Sequence, residues 1–89
     1  MATRIALIGI IVEDLTATEQ INRILHEYNE LVVGRLGIPY RKQGVGIISV
    51  VVDGTNDRIS SLSGKLGMIP GISVKTMYSK AGAAGAEAN

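Results

Sequence analysis

Apolar residues fall along this chain in two different periods. Thr3 to Val12, TRIALIGIIV, is a run of branched aliphatics too short for a buried helix and is expected as a strand. From about Ala17 the period lengthens. Ile21, Ile24, Leu25, Tyr28 and Leu31 recur at three- and four-residue spacing, one apolar stripe on a helix that turns Asn22, Arg23, His26, Glu27, Asn29 and Glu30 to water. Thr16 with Glu19 three residues on fits a capping box at the helix start. Val32 to Leu36 then predicts a short strand interrupted by Gly34, and Gly37, Pro39 and Gly44 supply the breakers of a long hairpin loop before an apolar strand from Val45 to Asp53. The run DGTND at 53–57 is turn and cap chemistry for a second helix, with Ile59, Leu62 and Leu66 facing inward. Gly67 is expected as its left-handed stop, with Met68 folding back on Leu62 or Ser63. Ile72, Val74, Thr76 and Tyr78 alternate with Ser73, Lys75 and Met77, the pattern of a half-exposed strand.

The order β-α-β-β-α-β predicts a ferredoxin-like α+β domain, a four-stranded antiparallel sheet of order 4-1-3-2 with two helices on one face. The first and third strands are apolar on both faces, as central strands should be, and the other two are half polar, as edges should be. Two helices cover only one face of such a sheet. Ile5, Leu7 and Ile11, with Val45, Ile47 and Val51, are left on the other, so a homodimer or homotetramer is expected to cover them.

Composition narrows the function. The 89 residues suit one domain over 1–80, followed by a small-residue tail over 81–89 expected to be mobile. Nine basic against eight acidic residues give a net charge of +1, no field for gripping nucleic acid or an anionic membrane. Tyr28, Tyr40 and Tyr78 are the only aromatic rings, which argues against base-stacking modules and against direct, specific DNA binding. The absence of cysteine excludes disulfides, thiolate metal sites and thiol catalysis. The longest apolar run, Ile5 to Val12, is too short to span a bilayer, and no signal-peptide cleavage pattern follows it, so a cytoplasmic protein is expected.

Three runs carry a resemblance: Gly34 to Arg41 (GRLGIPYR), Ile59 to Gly67 (ISSLSGKLG) and Ile69 to Thr76 (IPGISVKT). They resemble the small bacterial family of proposed iron-only hydrogenase system regulators, over roughly residues 3 to 80. The resemblance implies an ACT-like fold, similar to the C-terminal domain of the nickel-responsive repressor, and a non-enzymatic sensor that assembles through its sheets or strand edges. It does not carry over a nickel site, since that repressor uses a cysteine and several histidines and this chain has only His26. The repressor's ribbon-helix-helix segment is not found ahead of the first strand either, so any transcriptional role is expected to run through another protein.

The candidate site residues are few. Glu13, Asp14 and Thr16 lie where ACT-like domains place small ligands, and a helix start offers backbone donors to an anion; the same carboxylates could simply end the strand and complement the helix dipole. Arg35, Arg41 and Lys42 could bind an anion or an acidic partner, or could be solvated charges that discourage edge aggregation. His26 with Glu30 gives two ligands where a metal needs three or four, so no metal site is expected. No nucleophile–base pair or paired carboxylates stand out, which disfavours a ferredoxin-like enzyme. Ser63 to Gly67 resembles a phosphate loop in composition but not in spacing. A ligand sensor and a purely structural assembly module remain the two readings, with any cofactor unassigned.

Overall fold

The two apolar periods become two layers. A computed structural model describes residues 2–80, with β1 (Arg4–Val12), α1 (Thr18–Glu27), β2 (Val32–Tyr40), β3 (Val45–Gly54), α2 (Asn56–Gly67) and β4 (Ile72–Tyr78) in chain order. The four strands form one antiparallel sheet in the order β2-β3-β1-β4, the predicted ferredoxin-like arrangement. The mobile tail expected over 81–89 lies outside the described residues.

Side-chain alternation decides what the sheet buries. Ile8, Ile10 and Val12 of β1 and Ile48, Val50 and Val52 of β3 point to the helix side, where they meet Ile21 and Leu25 of α1 and Ile59, Leu62 and Leu66 of α2. Each fully buried aliphatic of this set contributes roughly 1.5–3 kcal/mol through removal from water. Thr55 caps α2, its Oγ1 accepting from the Arg58 N–H at 3.3 Å, as the DGTND run predicts. Across the helix pair, the hydroxyls of Tyr28 and Ser61 are 2.7 Å apart, and Arg58 and Lys65 both lie over the Tyr28 ring while pairing with Glu30 and Glu27.

Three local expectations are corrected. The Thr16–Glu19 capping box does not form, because a turn of 3-10 helix at Leu15–Ala17 precedes α1 and Asp14 caps that turn instead. The short strand and long loop after α1 are a single nine-residue β2 and a tight turn at 41–44, closed by Gly44 at φ 69°. Gly37 and Pro39 do not break β2, since it is an edge strand and half of its backbone donors need no strand partner. Its one irregularity is a bulge at Val33, between the pairs Val32–Val52 and Gly34–Val51. Gly67 is the last residue of α2 without a left-handed φ, and Met68 is exposed rather than folded back; the left-handed glycine is Gly71, four residues on.

Candidate functional site

The junction of β1 and α1 is tied into the fold through the backbone donors of 13, 14, 16, 17 and 18 and the side chains of Glu13, Asp14 and Thr16. The backbone N–H groups of Glu13 and Asp14 both donate to the Gly71 carbonyl at 2.9 Å. The Asp14 carboxylate accepts from the Thr16 hydroxyl at 2.7 Å and from the Thr16 N–H at 3.0 Å, and these bonds hold its pKa below the ordinary carboxylate value. The next two N–H groups go to the Asp14 and Leu15 carbonyls, and the Glu13 carboxylate accepts from the Ser73 hydroxyl at 2.8 Å. Glu13, Asp14 and Thr16 therefore lie together at this junction. The backbone donors of 13, 14, 16, 17 and 18 are already occupied by the chain itself, and an anion would have to displace those bonds.

The three cations of the β2 region are not brought together. Arg35 sits within β2, opposite Val50 and on the helix side, and its guanidinium donates to the Asn22 Oδ1 of α1 at 2.8 Å. Arg41 and Lys42 occupy the turn at the far end of the hairpin, about 20 Å along an extended strand. Beside Arg35 two clefts open between the hairpin and α1. One, about 260 Å³, is walled by Val12, Leu15, Pro39 and Ile48 and floored by Gly37 and Gly46; the other, about 310 Å³, includes His26 and Asn29. Asn22 and Arg35 line both. Among the described residues no three His, Asp or Glu side chains are grouped to hold a metal.

The opposite face of the sheet carries no helix. Register places its residues in cross-strand rows: Ile38, Ile47, Ile11 and Ser73; Leu36, Ser49, Gly9 and Lys75; Gly34, Val51, Leu7 and Met77. Two apolar ridges flank a furrow floored by Ser49 and Gly9. The accessible surface left on Leu7, Ile11, Ile38 and Leu36, from 37% to 60% of each residue, makes this a continuous apolar patch rather than scattered side chains. Lys75, Asp53 and Glu13 are its charged members, the first at an edge, the second near a strand end and the third just past the end of β1, where its carboxylate meets Ser73.

The family model for TM1266-like proteins, described as a proposed iron-only hydrogenase system regulator, matches residues 4–76. The chain belongs to this family. The TM1266-like match runs from the first residue of β1 into β4 and so takes in every element that forms the sheet and the helix layer. Among solved structures, uncharacterized protein TM1266 from Thermotoga maritima is similar at 39% identity and a TM-score of 0.84, covering 89% of this chain and all of that one. A formyltetrahydrofolate deformylase from Pseudomonas putida KT2440 is similar at 15% identity and a TM-score of 0.59; the likeness covers 82% of this chain and 28% of that one, and shows the fold alone. No curated protein matches the chain. Among the described residues no helix is long and apolar enough to cross a membrane.

Two features of this TM1266-like chain escape a strand-by-strand reading of its sequence. The furrow needs the β1–β3 register, which brings Gly9 beside Ser49. The glycine-floored cleft needs β2 to continue past Gly37, which places that residue opposite Ile48 and Pro39 opposite Gly46. The signal for the second is the alternation of Leu36, Ile38 and Tyr40 on one face with Arg35, Gly37 and Pro39 on the other.

Proposed function

We propose that this chain is a non-enzymatic regulatory domain of iron-only hydrogenase systems that works as a homo-oligomer, assembled through the helix-free face of its sheet, and senses a small molecule. The observation that carries the reading is that face. Counting its three full rows and the partial row at each end, Tyr40 with Val45 and Asp53 with Ile5, spacings of about 4.8 and 6.7 Å give roughly 550 Å². Two copies stacked on it would bury about 1,100 Å² in all, close to the lower bound of stable interfaces. A second copy is the favoured occupant because the face is self-similar in character, apolar on both ridges with charges only at its margins. The family description supplies the hydrogenase connection. The near-neutral charge and the shortage of aromatic rings support an action through a partner protein rather than on DNA directly.

Sedimentation of the full chain at micromolar concentration tests this. A dimer or tetramer is expected, with Leu7→Asp giving a folded monomer, because a carboxylate buried in that interface would be unpaired. Ile10→Asp should instead unfold the chain, since Ile10 faces the helices. A well-folded wild-type monomer would overturn the assembly. A structural assembly module without ligand is the second reading, favoured by the same face. It predicts that no amino acid, nucleotide or metal ion raises the melting temperature, and that Asp14→Ala changes no ligand response.

A further inference from the structure

We infer that the cleft between the β2–β3 hairpin and the start of α1 is the sensing site, and that it takes a small monoanionic carboxylate with a short aliphatic tail, the carboxylate on Arg35. This deepens the ligand-sensing reading and rests on it. Three observations on the cleft converge. Among the described residues, Arg35 is the only charged side chain that lines it. The acceptor Arg35 holds is the neutral Asn22 amide, and the ion pairs among the described residues are Arg58 with Glu30 and Lys65 with Glu27, so its charge is not spent on a carboxylate of the chain. A guanidinium presents five donors in a fork matched to a carboxylate, and one bond to Asn22 leaves donors available.

The remaining walls fix the class of ligand. Val12, Leu15, Pro39 and Ile48 are apolar, so a fully hydrated polyanion such as a phosphate gains nothing from them. Of the neighbouring backbone donors at the β1–α1 junction, which a phosphate would need, those of 13, 14, 16, 17 and 18 are consumed internally. A side chain at Gly37 would meet nothing within 4 Å, so the space above it is open to a ligand's alkyl group. The cleft volume of about 260 Å³ suits a small metabolite rather than a peptide or nucleotide. Its walls from Val12, Leu15, Asn22, Arg35 and Ile48 stand on the helix side of the sheet, and only Ile38 and Ile47 at its border belong to the face that a second copy would cover.

Sodium isovalerate, with neutral isovaleramide and inorganic phosphate as comparisons, tests the site by amide chemical-shift mapping on the full chain. Isovalerate is expected to give saturable shifts at Gly37, Gly46 and the Arg35 Nε–H. Isovaleramide should bind about tenfold more weakly or worse, as loss of a charge-assisted bond requires, and phosphate should also bind more weakly, because the apolar walls do not replace its hydration. Arg35→Gln should weaken isovalerate by a similar factor with the circular dichroism spectrum unchanged. Gly37→Val, which leaves the charge and fills the space, should weaken it too. Saturable shifts confined to Glu13–Thr16 would overturn the cleft and leave the sensing reading standing. Equal affinity for isovaleramide, or an Arg35→Gln variant that binds like the parent, would overturn the carboxylate assignment. Absence of any saturable shift with isovalerate would overturn the proposed ligand class, whereas failure of the sensing reading would show as no thermal shift with any of the compound classes named above.

Discussion

Gly71 stands where no other residue fits the backbone and the space together. Its φ is 84°, and a Cβ built there would lie 2.5 Å from the Asp14 Cβ. Its carbonyl also receives both N–H groups that follow β1. Gly71→Ala is therefore expected to destabilise the chain by about 1–3 kcal/mol, read as a lower urea midpoint with an unchanged slope. Asp14, on the other side of that contact, makes a pH prediction. The Thr16 hydroxyl and N–H lower its folded pKa, so the unfolded chain binds the proton more readily. The stabilisation is complete above about pH 4, the ordinary carboxylate value, and is lost as pH falls through the lower folded value. Melting curves of wild type and Asp14→Ala should therefore differ at neutral pH and converge in strong acid. The sequence does hold the residues of this junction in view, but two capping patterns compete there. Asp14 with Thr16 wins over Thr16 with Glu19 because the chain enters α1 through a 3-10 turn, which a linear pattern does not disclose.

Elements are more legible than their ends. Both helices and all four strands follow from periods of 3.6 and 2, because the core that selects those periods lies on one side of each element. What is not legible is the length of β2. Gly37 and Pro39 read as breakers because the pattern carries no information about whether a strand lies at an edge, where a proline nitrogen meets no partner. Gly67 misleads for a related reason: α2 ends on Met68 with ordinary right-handed backbone, and the reversal waits for Pro70 and Gly71. Within α2, Leu62 is fully buried against the sheet, and Leu62→Ala is expected to cost about 2–5 kcal/mol through lost burial and the cavity left behind. Chemical denaturation measures it directly, and a loss below 1 kcal/mol would mean that the helix layer packs more loosely than its burial implies.

For the whole molecule, the helix-free face was legible from the count of layers alone, since two central strands apolar on both sides cannot be covered by two helices on one. The cleft at Arg35 was not, because it depends on a strand that the pattern cuts short. If the face is an obligate interface, folding and association are one equilibrium, and the melting temperature should rise with protein concentration. The sheet's two margins have a further consequence for growth. β2 carries Pro39 and the Val33 bulge, while β4, Ile72–Tyr78, has neither proline nor bulge. Adding strands head to tail, β4 of one chain to β2 of the next, would build an endless ribbon, and the irregular margin is unfit for that joint. Pairing of β4 with β4 about a two-fold axis consumes both regular margins at once and then stops. Lateral growth of the sheet is therefore expected to stop at two chains.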